Sequence, residues 1–77
     1  MAKKMRGVVT WFECKKTGLG FLSVKWENGR ADEYRYDGPP ISDRSNADDI
    51  TGFIGNELGI EFSSEHDREH VFIESVD

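Results

Sequence analysis

The chain has 77 residues, room for one small domain with a modest core, and no apolar run nears the ~20 residues a membrane-spanning helix needs. Net charge is -5, but residues 1–30 hold seven Lys/Arg against two acids, whereas residues 31–77 hold three arginines against thirteen acids. A single cysteine, Cys14, excludes an internal disulfide and points to a reducing, cytoplasmic setting.

The charge asymmetry predicts one basic and one acidic face. The basic half suits a polyanion, and the acidic half suits a basic protein partner. The basic start, "MAKKMRGVV", is not followed by an apolar signal-peptide core. No repeat, linker or low-complexity tract divides the chain, so residues 1–77 are expected to form a single domain.

In chain order, "RGVVTWFE" (6–13) is rich in β-branched and aromatic residues and is expected to be a strand. "GFLSVKWE" (20–27) alternates, with Leu22, Val24 and Trp26 on one face and Phe21, Ser23 and Lys25 on the other. Asn28-Gly29 predicts a two-residue hairpin turn. "DEYRYD" (32–37) is the return strand, ended by the prolines of "GPP". Residues 41–56 are expected to be a long loop, with at most a short helical turn around Ser45 to Ile50 capped by Ser45 or Asn46. Apolar residues are not expected to recur at helical spacing for three turns anywhere. "LGIEFSS" (58–64) alternates as a fourth strand, "EHDRE" is a polar turn, and "HVFIESV" (70–76) is the fifth strand. Five short strands with one long connection between the third and fourth predict an all-β fold, a small closed antiparallel barrel of the OB type. Closure would also remove exposed sheet edges.

Gly7-Val8-Val9-Thr10-Trp11-Phe12, followed by Lys16-Thr17-Gly18-Leu19-Gly20-Phe21-Leu22, resembles the first two strands of a cold-shock domain. Members of that family carry Gly-x-Val-x-Trp-Phe and then a lysine with Gly-Phe-Gly-Phe-Ile. The resemblance implies a five-stranded OB barrel that binds single-stranded RNA or DNA without a cofactor, in the manner of an RNA chaperone. Carried over by position, Trp11 and Phe21 would stack bases, and Lys16 with Lys15 would meet phosphates. Phe12 is open between platform and core, and Leu19 replaces a stacking phenylalanine with an apolar side chain that has no ring. Thr17 is an insertion relative to the family pattern. Base stacking on aromatic platforms is worth ~1–3 kcal/mol per base, and lysines track the backbone.

The third strand admits two registers. One keeps Tyr34 and Tyr36 as platforms and turns Glu33 and Arg35 inward, at a cost in burial. The other buries both tyrosines and leaves Arg35 on the binding face, and burial favours it. With fewer platforms and an acidic second half, affinity is expected to fall below the family norm. A competing reading takes "VKWENGRADEYRY" as the hairpin of an SH3-like barrel, a module that binds peptides or proteins. In a third, an OB barrel uses its acidic half against a basic protein partner, as an inhibitor would.

The remaining residues point to no enzyme. His66 and His70 are four apart near Asp67 and Glu69, but a turn entering a strand does not converge two such ligands as a helix would, so no metal is expected. Cys14 has no histidine partner that would make it a nucleophile. "GLG" lacks the lysine-serine ending of a phosphate loop.

Overall fold

A computed structural model describes residues 4–76. Its elements are β1 (Arg6–Glu13), β2 (Gly20–Trp26), β3 (Ala31–Arg35), α1 (Arg44–Leu58), β4 (Phe62–His66) and β5 (His70–Ser75). All five strands lie in one antiparallel sheet in the order β3-β2-β1-β5-β4. The fold is thus a small, mostly β structure with a single helix.

The alternation read in β2 holds: Leu22, Val24 and Trp26 are buried, while Phe21, Ser23 and Lys25 turn the other way. Cross-strand partners extend this division. Val9 faces Val24 and Val71, and Leu22 faces Tyr34, so one face of the sheet is a continuous apolar surface. Tyr34 and Tyr36 lie on it, each edge-on to Phe53, with ring centroids 6.4 and 5.3 Å away. Burial pushes both phenols up, reinforced by Asp32 and Glu57 at Tyr34 and by Asp49 at Tyr36.

Three expectations change. The sheet is not closed into a barrel, of either the OB or the SH3-like kind. β3 and β4 end on opposite edges because β5 pairs with β1, and α1 covers the apolar face that closure would otherwise bury. Second, residues 41–56 are not a loop. Ala47, Ile50, Ile54 and Leu58, with Thr51, recur at helical spacing over three turns. Ala47, Ile50 and Ile54 are fully buried against Val9, Leu22, Val24 and Val71. The cap is Asp43, not Ser45 or Asn46; its carboxylate accepts the Asn46 N–H at 2.9 Å. Gly59 ends the helix in the left-handed region, φ 67°, donating to the Gly55 carbonyl. Leu58 therefore belongs to the helix, and β4 starts four residues later than expected.

Third, the connection between β2 and β3, residues 27–30, is a three-residue loop (27–29) closed by the pairing of Trp26 with Arg30. Gly29 N–H donates to Trp26 C=O at 3.0 Å and Trp26 N–H to Arg30 C=O at 2.8 Å, while Gly29 takes φ 93°. This is a turn followed by a glycine bulge, which the Asn-Gly pair serves as well as a two-residue turn.

Candidate nucleic-acid interface

Among the described residues no layer lies over the second face of the sheet. Pairing places on it Arg35, Phe21 and Phe12 in one row, Glu33, Ser23, Thr10 and His70 in the next, and Lys25, Val8, Phe72 and Glu65 in the third. Phe12 and Phe21 are opposite one another in the ladder and stack, with centroids 5.5 Å apart and planes 16° from parallel. His70 and Phe72 stack in the same way at 5.9 Å and 25°. Phe12 and Phe72 are 38% and 43% exposed, values that leave a ring face open to a ligand.

The positions expected from sequence divide sharply. Phe12, Phe21 and Arg35 come together on the open face. Lys15 and Lys16 are exposed in the turn that joins β1 to β2, at the Phe12–Phe21 end of the sheet. Leu19 is half-buried in that turn, its carbonyl accepting the Cys14 N–H at 2.9 Å, and it presents no platform on the sheet. Trp11 does not join Phe21. It is one residue from Phe12 and so turns to the helix side, where it packs half-buried against the core. A Cβ on Gly20 would sit 3.1 Å from the Trp11 Nε1, which places the indole over that glycine. Strand parity forbids the Trp11–Phe21 platform and makes Phe12–Phe21 the pair.

Phe72, His70 and Lys25 were not expected from sequence as interface residues. The alternation of "HVFIES" carries the signal, since Val71, Ile73 and Ser75 are buried and His70, Phe72 and Glu74 are on the other face. What sequence could not supply is the β1–β5 pairing that sets Phe72 beside Val8 and His70 beside Thr10.

Charge on the open face is mixed. Arg6 and Lys4 share Glu74, at 3.3 and 3.6 Å, and Arg35 lies 3.5 Å from Asp37. All of these groups are substantially exposed, so such pairs leave the cations available. At the rim, the Asp67 carboxylate accepts the backbone N–H groups of Glu69 and His70, at 2.8 and 2.7 Å, and lies 3.0 Å from His70 Nδ1. These bonds, the Glu69 N–H first, hold its carboxyl below the usual carboxylate range. They also fix the ring that stacks on Phe72. His66 faces the helix side, opposite to His70, so the two histidines do not converge. Among the described residues no group of three His, Cys, Asp or Glu is placed to hold a metal, and no helix is long and apolar enough to cross a membrane. Hydrogen bonds from the Thr17 hydroxyl and from the Lys16 and Thr17 backbone hold the Cys14 thiol below its ordinary range.

No protein-family model matches the chain, and neither a curated protein nor a solved structure is significantly similar to it.

Proposed function

We propose that the uncovered sheet face binds single-stranded RNA or DNA, by stacking and phosphate contact and without cofactor or turnover. The observation that carries the reading is the Phe12–Phe21 stack, in which Phe12 is exposed and Phe21 half-buried, with Arg35 paired across from Phe21 and the Lys15–Lys16 turn beyond it. Rings supply sequence-tolerant platforms, and the cations supply a backbone track. His70 and Phe72 extend the platform across β1. This is the activity that the resemblance to cold-shock domains implies, carried here by an open sheet rather than a barrel. Binding unpaired strands in this way is an RNA-chaperone activity, and with Cys14 as the only cysteine we assign it to the cytoplasm.

Both tryptophans face the helix side, so quenching of tryptophan fluorescence is a poor reporter. The test is fluorescence anisotropy of a labelled oligothymidine. Binding should weaken as salt rises, with a log–log slope of about -2 for three phosphate contacts. No binding at low salt, or binding indifferent to salt, would overturn the reading.

A further inference from the structure

The outer edge of β4 presents a different opportunity. In the β4–β5 ladder Val76 N–H donates to Glu61 C=O at 3.1 Å, and Asp67 N–H donates to His70 C=O at 3.0 Å. Ladder parity then turns the backbone groups of Ser63 and Glu65 toward β5 and those of Phe62, Ser64 and His66 outward. Among the described residues no strand lies beyond β4 and no backbone group pairs with these three. Beside this edge runs an open groove of about 720 Å³, walled on one side by residues 60–64 and on the other by the flank of α1.

Gly52 and Gly55 both line it, and the fold explains only one of them. A Cβ on Gly55 would lie 2.7 Å from the Ile60 carbonyl, so that glycine is required where the chain turns back into β4. A Cβ on Gly52 would meet nothing within 4 Å. Glycine inside a helix costs about 1 kcal/mol relative to alanine, and packing at Gly52 returns none of it. What the missing side chain does is keep the groove open beside an unpaired strand. Asp48 and Glu61 line the same groove and outweigh Arg44 at its end.

We propose that this groove takes an extended, basic peptide segment, which adds as a sixth strand to β4 while every second side chain lies between β4 and α1. Backbone pairing to Phe62, Ser64 and His66 would supply affinity, and Asp48 and Glu61 would select positive charge. A second copy of the chain is the less suited occupant. Antiparallel pairing of two β4 strands about Ser64 would set the acidic Glu61 of each against Asp67 of the other. The site lies on the edge and helix side of the sheet, so it does not depend on the nucleic-acid reading.

The test uses the full chain and two synthetic heptapeptides that alternate valine with either lysine or glutamate. Amide hydrogen exchange and NMR shifts are followed. The lysine peptide should shift the 60–66 amides and slow exchange at Phe62, Ser64 and His66 at least tenfold; the glutamate peptide should do neither. Ser64→Pro removes an N–H that bonds nothing within the fold, so it should leave the sheet intact and weaken peptide binding at least tenfold. Gly52→Phe should fill the groove with the same effect on binding, and it keeps the test decisive if the proline variant does not fold. The proposal is overturned if neither peptide protects these amides, if the glutamate peptide binds equally well, or if both variants bind as the parent does. It is also overturned if the parent chain is a dimer that Gly52→Phe converts to a monomer, because the groove then belongs to a second copy.

Discussion

The covered and uncovered faces of this sheet both carry aromatic rings, under opposite conditions. On the covered face Trp26 and Tyr36 are buried, each 8% exposed, and the Trp26 indole N–H finds the Asp32 carboxylate at 2.8 Å. Their polar tips suit a core that ends near water. On the uncovered face Phe12, Phe21 and Phe72 have no polar tip, and two of them stay more than a third exposed. A phenyl ring left in water forfeits the stabilisation that burial would give it, roughly 1.5–3 kcal/mol for a full side chain. The fold needs the first set; burial in the core does not account for the second.

The largest expected effect is on the covered face. Leu22 is fully buried at the centre of β2, so Leu22→Ala should destabilise by ~2–5 kcal/mol, read from the urea midpoint. A loss below 1 kcal/mol would mean that α1 does not seal that face. The matching change on the open face is Phe12→Ala. It should weaken oligothymidine binding by ~1–3 kcal/mol while the urea midpoint moves little. If instead stability drops as for Leu22 and binding holds, the two faces have been assigned the wrong way round.

The two helix glycines sharpen the comparison on a smaller scale. Gly52→Ala should stabilise by ~0.5–1 kcal/mol, since its Cβ enters open space. Gly55→Ala should destabilise, because its Cβ would press on the Ile60 carbonyl. Thermal melts of the two single variants give the sign directly.

The smallest effect is at the rim of the open face. Folded Asp67 holds its proton less tightly than the unfolded chain does, so its contribution to stability is present above the ordinary aspartate pKa. That contribution is lost as pH falls through the lower folded value. Asp67→Asn should flatten this part of the acid limb of a stability–pH curve, and an unchanged limb would show that the turn bonds are not retained in solution. At the alkaline end Tyr34 and Tyr36 act in the opposite sense. Folding raises their pKa, so stability should decline once pH passes the ordinary tyrosine value of 10.0.

Strand boundaries and faces were legible where alternation is clean: β1 runs over the expected residues, and the inward set of β2 is the expected one. The burial argument for Tyr34 and Tyr36 also selected the right face. The helix was obscured by its composition. Gly52, Gly55 and Thr51 lower helix propensity, and polar Asp48 and Asp49 interrupt the apolar letters, although Ala47, Ile50, Ile54 and Leu58 keep the period. Of the candidate interface, Phe12, Phe21 and Arg35 could be found locally, because a hairpin brings its own strands together. Trp11 was drawn in by the motif, although parity within β1 sends it to the other side.

By itself the sequence determined which residues alternate, where the chain turns, and that cations gather in the first thirty residues. These are local properties, set by side-chain chemistry and by a strand period of two. Only the tertiary structure decided that β5 pairs with β1 and brings Phe72 and His70 to the Phe12–Phe21 face. It also left β4 as an unpaired edge, with α1 taking the place of barrel closure. Pairing of strands some sixty residues apart is settled by which arrangement buries Val9, Leu22, Val24 and Val71 under one helix, a competition among whole arrangements that no local stretch contains.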